Sequence, residues 1–181
     1  AGGQLGQELQ EAVQTRSSQH TYHFADRASL DLTDASALEA CLEAHAIQLI
    51  INAAAYTAVD RAEDEPEKAD LVNHQAVATL ARLAKRRDAF LLHVSTDYVF
   101  SGDAHTPYTE EAPTAPLGVY GRSKRLGEEA ILASGVRHLI LRTSWLYSAY
   151  GANFVKTMCR LQSERQELRV VFDQVGSPTW A

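Results

Sequence analysis

The nearly continuous apolar run at residues 47–51 constrains the fold more than any other stretch of this chain. Such a run is typical of a strand that is covered on both faces, as in a parallel sheet. Residues 90–94 form a second run of this kind, and residues 136–141 predict a further strand. Between the strands, apolar residues recur at helical spacing, most clearly over residues 69–87. Strand and helix therefore alternate, which predicts an α/β fold with a doubly wound parallel sheet.

Weaker patterns complete this interpretation of the chain. Residues 21–24 and 168–172 are short strand candidates, and helices are predicted over residues 117–133 and 153–163. Thr33 or Asp34 is a suitable N-cap for a helix that follows it. Three prolines between residues 102 and 116 exclude a long helix or a central strand, so this segment is predicted to be a loop.

Charge and composition exclude several functional classes. The net charge is −6 and Lys and Arg are scattered, so no basic stripe indicates nucleic acid or an anionic membrane as a partner. No apolar run approaches the roughly 20 residues that span a bilayer, which favours a cytoplasmic location. Cys41 and Cys159 lie far apart and are predicted to be packed free thiols. The acidic residues 63–67 lack a fixed ligand spacing, so they predict a solvated loop and helical turn; magnesium is compatible with this chain but is not indicated by the sequence.

A glycine-rich turn opens the chain. Gly3 and Gly6 lie where such a turn would enter a helix, whose N-terminal N–H groups suit a pyrophosphate. A flexible terminus running into a helix would give the same pattern. About 20 residues later, Asp26 could bind adenosine ribose hydroxyls and Arg27 a 2′-phosphate, which leaves NAD and NADP both open. Asp31 offers another carboxylate nearby.

Candidate reactive side chains follow the predicted strands. The small residues 52–55 leave room for a flat ligand at the end of the first run, although they also suit close helix packing. Tyr120 and Lys124 are four residues apart in a predicted helix, so their side chains lie on one face. The same spacing also occurs by chance on the surfaces of helices. An ammonium beside a phenol favours phenolate, and Thr96 adds a hydroxyl after the second strand. This set predicts hydride transfer with a nicotinamide cofactor.

Taken together, these motifs resemble those of the dTDP-4-dehydrorhamnose reductases, a family of extended short-chain dehydrogenases/reductases, over essentially the whole chain. The resemblance is carried by the Gly-x-x-Gly turn and by residues 52–60, 95–102, 120–124 and 142–147. It implies a Rossmann-like NAD(P)-binding fold. It also implies NADPH- or NADH-dependent reduction of the 4-keto group of dTDP-6-deoxy-L-lyxo-4-hexulose to dTDP-L-rhamnose, a precursor of bacterial polysaccharide.

The resemblance also implies roles for individual residues. Tyr120 would protonate the C4 oxygen, Lys124 would bind the nicotinamide ribose and lower the pKa of Tyr120, and Thr96 would bind substrate and tune that proton transfer. Asp97 and Trp145 would join Thr96 in contacting the sugar nucleotide. The cofactor would be bound by Gly3, Gln4, Leu5, Gly6, Asp31, Leu32, Ala53, Ala54, Ala55, Tyr56, Thr57, Val94, Tyr120 and Lys124. A homodimer is one assembly compatible with the family.

The ends of the chain suggest a fragment truncated at both ends. The chain begins at Ala1 without Met and closes at Ala181 without a tail-like composition. Against the family pattern, we expect the first strand and much of the substrate-binding domain to be missing. Residues 1–181 would then form the NAD(P)-binding domain with the start of a substrate-binding region, and would neither fold stably alone nor turn over well.

Two other functions share these motifs. The regulatory subunit of methionine adenosyltransferase resembles this family and binds NADP without reducing a sugar. Sugar-nucleotide epimerases and dehydratases retain and recycle NAD, and the carboxylate of Asp97 beside Thr96 would suit their acid–base chemistry. Intact Tyr120, Lys124 and Thr96 favour the reductase.

Overall fold

Helices and short strands alternate along the chain in a computed structural model that describes residues 1–17 and 19–181. The chain divides into two compact units, residues 27–142 and residues 1–26 with 143–181. The elements in chain order are α1 (Gln4–Thr15), α2 (Ala35–His45), β1 (Leu49–Asn52), α3 (Val59–Asp64), α4 (Pro66–Asp70), a π-helical turn (Leu71–Gln75), α5 (Ala76–Arg86), β2 (Phe90–Thr96), a 3-10 turn (Asp97–Val99), α6 (Val119–Ser134), β3 (His138–Thr143), β4 (Leu146–Tyr147), α7 (Phe154–Glu164) and β5 (Thr179–Trp180).

A three-stranded sheet in the order β1-β2-β3 organises the unit of residues 27–142. β1 and β2 pair in parallel, with Leu49 opposite Phe90 and Asn52 opposite His93. Helices α2, α5 and α6 supply most of the core beside this sheet. The buried core residues are Leu38, Leu42, Val77, Leu80, Ala81, Leu83, Ala84, Ala89, Leu91, Ile131 and Val136. The predicted α/β fold with a parallel sheet is confirmed.

Local signals explain where several helices begin and end. The carboxylate of Asp34 accepts the N–H groups of Ser36 and Ala37, so the predicted N-cap of α2 is confirmed. Pro66 occupies the first turn of α4, where its missing N–H costs nothing. Gly135 ends α6 with φ 63°, a left-handed conformation that glycine adopts without steric cost. The predicted helix over residues 69–87 is present, but it contains the π-helical turn Leu71–Gln75.

One face of the three-stranded sheet is largely exposed, which corrects the prediction for residues 47–51. That run was expected to be covered on both faces, yet Leu49 and Ile51 of β1 are 52% and 42% exposed. Leu139 and Leu141 of β3 are similarly exposed. The alternation of side chains along a strand explains the difference, because only the face toward α5 and α6 is packed.

The unit of residues 1–26 and 143–181 contains α1, α7 and a two-stranded parallel ladder of β4 and β5. The strands predicted at residues 21–24 and 168–172 are wrong, because both segments lack regular secondary structure. A strand needs a neighbour that accepts its backbone hydrogen bonds, and neither described sheet includes these segments. Phe172 is 93% exposed. The prediction of a packed thiol is also wrong for Cys159, which is exposed, whereas Cys41 is half-buried.

Helix length bears on membrane insertion. The hydrocarbon core of a bilayer requires about 20 apolar residues, and α6 has 16 residues of mixed polarity. Across residues 1–17 and 19–181, no helix combines the length and apolar character needed to cross a membrane.

Candidate active site

Tyr120 and Lys124 lie one turn apart at the beginning of α6, as their spacing predicts. Lys124 is only 1% exposed. Its Nζ donates a hydrogen bond to the carbonyl oxygen of Val94 at 2.7 Å and lies 3.3 Å from Nε2 of His93. The amine is therefore directed toward strand β2. Burial lowers the pKa of Lys124 to about 8, while the charge of Glu128 acts in the opposite direction.

The phenol of Tyr120 lies in a protected position. Its ring packs edge-to-face against that of Tyr98, with 5.6 Å between the ring centroids. Burial raises the pKa of Tyr120, a hydrogen bond with Thr96 lowers it, and the negative charge of Asp97 raises it. The Lys124 amine is directed to Val94, and its lowering of the Tyr120 pKa stays a prediction. The phenol therefore keeps its proton at neutral pH.

Thr96 and Asp97 stand where β2 ends and the 3-10 turn begins. The Oγ1 of Thr96 accepts the backbone N–H of Tyr98 and donates to Oδ1 of Asp97, each at 3.2 Å. Burial raises the pKa of Asp97, and hydrogen bonds from Thr96 and from the backbone partly offset this. The structure thus brings Thr96, Asp97 and Tyr120 together, as the sequence predicted.

Asn73 connects the predicted cofactor segment at residues 53–57 to the helix that carries Tyr120. Its Oδ1 accepts the N–H of Tyr56 at 2.9 Å, and its Nδ2 donates to the carbonyl of Tyr56 and to Ser123 Oγ, both at 3.0 Å. Ser123 in turn donates to the carbonyl oxygen of Tyr120 at 2.8 Å. Asn73 lies in the π-helical turn. The one sequence signal for its role was the presence of a polar asparagine on the buried face of that helix.

Glu128 forms a buried ion pair directly behind this site. Ser95 donates to its Oε1 at 2.6 Å, and Arg142 donates through Nε at 2.9 Å and Nη2 at 2.7 Å. Burial acts to raise the pKa of Glu128, but hydrogen bonds from Arg142 and Ser95 hold it below its usual range. Glu128 was not among the predicted site residues, although its position four residues after Lys124 places it on the same face of α6.

Glu63 of helix α3 binds the N-terminus of helix α6. Oε1 of Glu63 accepts the backbone N–H of Val119 at 2.7 Å. This carboxylate therefore satisfies an N-terminal N–H group of α6 and complements the positive end of its dipole. The acidic residues 63–67 were predicted to be a solvated loop and helical turn; Glu63 is indeed exposed, and its carboxylate also has this defined partner. Glu65 also has defined partners, since it accepts the hydroxyl of Tyr56 at 2.8 Å.

Asp31 and Leu32, two further predicted cofactor residues, precede α2. The carboxylate of Asp31 accepts both the N–H and the hydroxyl of Thr33, at 2.9 and 2.8 Å. These hydrogen bonds lower the pKa of Asp31. Leu32 is half-buried against the core. Asp31 remains on the surface, with one carboxylate oxygen also 3.9 Å from Nε of Arg27.

The glycine turn precedes α1 in the other unit. Gly3 is the N-cap of α1 without a side-chain hydrogen bond, and no atom lies within 4 Å of a Cβ built on it. The first N–H groups of the helix are therefore available to an anionic group, and the turn fits a pyrophosphate. Gly6 is buried, and a Cβ there would overlap the backbone of Ala1. Gln4 accepts a hydrogen bond from Asn153 at 2.9 Å, and Leu5 is half-buried.

Trp145, also in that unit, has a strained backbone. Its φ is 48°, a left-handed conformation that is unusual for a bulky residue and often occurs at functional sites. The indole is 47% exposed and lies against Gly176, where a Cβ would come within 2.8 Å of Nε1. The ring of Phe154 lies 6.3 Å away between centroids.

Comparison with known proteins assigns the chain a family. A family model described as the RmlD substrate binding domain matches residues 1–181. The dTDP-4-dehydrorhamnose reductase of Escherichia coli K12 is 44% identical over 181 residues, which is 99% of this chain and 60% of that protein. The reductase of the same name from Shigella flexneri is 52% identical over 133 residues, covering 74% of this chain and 44% of that protein.

Solved structures give the same result. A dTDP-4-dehydrorhamnose reductase from Bacillus anthracis in complex with NADP matches with a TM-score of 0.94 and 41% identity, covering 99% of this chain and 63% of that one. An orthologue from Clostridium acetobutylicum matches with a TM-score of 0.93 and 39% identity, covering 98% and 62%. The chain thus spans less than two thirds of the length of these relatives.

Proposed function

The chain belongs to the RmlD substrate-binding domain family, and from this premise we propose that it takes part in NADPH- or NADH-dependent reduction of a dTDP-linked 4-keto sugar. The substrate would be dTDP-6-deoxy-L-lyxo-4-hexulose and the product dTDP-L-rhamnose. The proposal rests above all on one observation, the largely buried Tyr120 phenol placed beside Thr96 and Asp97. The names of the relatives and the NADP complex from Bacillus anthracis support the same chemistry.

Tyr120 is the proposed proton donor. Reduction of a ketone requires one hydride at carbon and one proton at oxygen, and the raised pKa keeps that proton on the phenol until the oxygen develops negative charge. Thr96 would hydrogen-bond the same oxygen, and Asp97 and Trp145 would bind the sugar nucleotide. Lys124 would support Tyr120 from within the same helix.

When bound, the nicotinamide would supply the hydride. Two features of the chain fit such a cofactor. One is the N-terminus of α1 at Gly3, which has no side-chain cap. The other is the run of small residues before Tyr56, where Asn73 binds the backbone N–H and carbonyl of Tyr56. The proposed binding residues are those predicted above: Gly3, Gln4, Leu5, Gly6, Asp31, Leu32, Ala53, Ala54, Ala55, Tyr56, Thr57, Val94, Tyr120 and Lys124. We propose further that residues 1–181 form an NAD(P)-binding region with the start of a substrate-binding region, and that the assembly is a homodimer.

The test is substrate-dependent oxidation of NADPH or NADH by the purified full-length protein. We expect the Tyr120→Phe variant to lose about 10²- to 10⁴-fold in kcat, the usual contribution of general acid catalysis, while its affinity for the cofactor survives. Tyr108→Phe is the matched control, because the Tyr108 hydroxyl accepts the N–H of Ala104 and lies 3.4 Å from Ser101 Oγ, in the loop before α6. It should retain activity.

The alternatives give different results in this assay. No oxidation with any keto-sugar nucleotide, together with intact NADP binding, would favour a regulatory subunit. Turnover with a retained and recycled NAD would favour an epimerase or dehydratase, whose acid–base chemistry would use Asp97. Equal loss of cofactor binding in Tyr120→Phe would contradict the role assigned to Tyr120.

A further inference from the structure

Three buried polar side chains lie in a row behind the proposed proton donor. Asn52 ends β1, His93 lies opposite it on β2, and Lys124 reaches them from α6; their exposed fractions are 4%, 0% and 1%. Asn52 Nδ2 lies 3.0 Å from His93 Nδ1, and His93 Nε2 lies 3.3 Å from Lys124 Nζ. The proposed function assigns no role to Asn52 or His93.

The orientation of the Asn52 amide determines the protonation of the histidine ring. Its Oδ1 accepts the backbone N–H of Ala54 at 3.1 Å, so its NH2 group is the one that faces His93. An amide NH2 can only donate, and His93 Nδ1 must therefore be the acceptor. Burial, and then the charge of Lys124, lower the pKa of His93 to about 3, so the ring is neutral at neutral pH. A neutral ring with an unprotonated Nδ1 carries its proton on Nε2.

The Nε2–H group of His93 in turn faces Lys124. An ammonium has three donors and no acceptor, so it would oppose this N–H, whereas a neutral amine can accept it. The neutral amine can still donate to the carbonyl of Val94 at 2.7 Å. In the opposite tautomer, the Nδ1–H group of His93 would face the NH2 group of Asn52, and two donors would oppose each other. Rotating the Asn52 amide would remove this conflict, but Asn52 would then lose the hydrogen bond that it accepts from the N–H of Ala54.

We propose that Asn52 and His93 are positioning residues for Lys124: Asn52 holds His93 in its Nε2-protonated tautomer, and His93 thereby orients the lysine and favours its uncharged form. This rests on the proposed function, in which Lys124 supports Tyr120. The pair would set the pH below which Lys124 carries the charge that assists the phenol. The other titratable groups in the surroundings are Glu128 on α6, which favours the ammonium and is held by Arg142 of β3, and Asp97 after β2, which acts on Tyr120.

The first test is the tautomer itself, measured by long-range ¹⁵N–¹H correlation spectra of the His93 ring in the unaltered protein near pH 7. We expect a protonated Nε2 and an unprotonated Nδ1. A protonated Nδ1, alone or in an imidazolium, would overturn the proposal. The measurement uses neither substrate nor cofactor, so a protein that failed to oxidise NADPH would still give this result.

The second test follows the titration of Lys124 through its ¹³Cε resonance. In Asn52→Asp a carboxylate oxygen would accept from Nδ1, so the proton would move to Nδ1 and Nε2 would accept from the ammonium. We expect the Lys124 midpoint to rise by about one pH unit or more. Asn52→Asp with His93→Phe, compared with His93→Phe alone, is the control for the added charge. In the absence of His93, the rise of the Lys124 midpoint caused by Asn52→Asp should be at most half as large. An equal rise with and without His93 would show that the added charge alone is responsible, and would overturn the proposal.

Discussion

The buried carboxylate of Glu128 makes the sharpest prediction at the scale of single residues. It is 1% exposed, and it accepts three short hydrogen bonds from Ser95 and Arg142. Glu128→Gln keeps the volume but leaves the Arg142 guanidinium without an opposing charge. We expect the free energy of unfolding in urea to fall by about 3 kcal/mol, as for other broken buried pairs.

The control for that variant is Glu43→Gln. Glu43 accepts from Arg87 at 2.7 Å, but its side chain is 63% exposed. Exposed pairs contribute about 1 kcal/mol or less, so this variant should unfold almost like the unaltered protein. Similar losses in both variants would mean that the Glu128 network carries no special stability.

The site residues show what sequence spacing can and cannot specify. Tyr120 and Lys124 were predicted to share a face, and they do, because helical periodicity fixes that relation locally. Spacing along the helix left the direction of the Lys124 amine open. That direction depends on the carbonyl of Val94, which is 30 residues away in the chain and reaches the lysine only through the packing of α6 on β2.

At the scale of elements, close backbone contact holds α6 against its neighbours. A Cβ on Gly121 would overlap the carbonyl oxygen of Tyr98, and one on Gly127 would overlap the carbonyl oxygen of Asn73. Helix α6 can approach the 3-10 turn and the π-helical turn this closely only because glycine lacks a side chain. This approach keeps Tyr120 close to Thr96.

Gly121→Ala should therefore force α6 away from the 3-10 turn. Overpacking typically costs about 1–3 kcal/mol, and the better helix propensity of alanine recovers about 1 kcal/mol. We expect a lower melting temperature and a larger loss of reductase activity than of cofactor binding. In Gly2→Ala, where a Cβ would meet no atom within 4 Å, both should remain unchanged. An unaltered melting temperature in Gly121→Ala would refute the close approach.

Some ends of helices and strands are determined by neighbouring residues, and others by residues distant in the chain. The cap of α2 and the end of α6 were encoded by neighbouring residues such as Asp34 and Gly135. The cap of α6 by Glu63 comes from a residue 56 positions away from Val119, so no local pattern revealed it. The strands predicted at residues 21–24 and 168–172 had suitable residues but no partner in either described sheet.

At the scale of the whole molecule, His93 should make stability depend on pH. Its pKa is lowered to about 3, so the folded state keeps the ring neutral while the unfolded state protonates it below about pH 6.5. The stability contributed by His93 is therefore complete above about pH 6.5 and is lost as the pH falls toward 3. Between pH 6 and 5 we expect urea unfolding to show a loss of about 1 kcal/mol.

This pH window precedes most carboxylate titration. The pKa of Asp97 is raised by burial, so Asp97 makes the protein more stable as the pH falls, opposite to His93. Asp97 is present in every variant compared, so its effect cancels in the comparison. His93→Gln should flatten the slope, and His105→Gln, an exposed substitution in the loop before α6, should keep it. A slope that survives in His93→Gln would assign the pH dependence to other groups.

The sequence by itself determined the α/β alternation, the parallel sheet and the succession of most elements, because hydrophobic periodicity and capping act between near neighbours. It also determined which reactive residues end which strand or share which helix face. Only the tertiary structure decided that one sheet face is exposed, that Glu63 caps α6, and that Lys124 faces Val94 and His93. These features depend on contacts between residues distant in the chain. Burial at those contacts shifts the pKa values of His93, Tyr120 and Lys124 away from those that residue type alone would give.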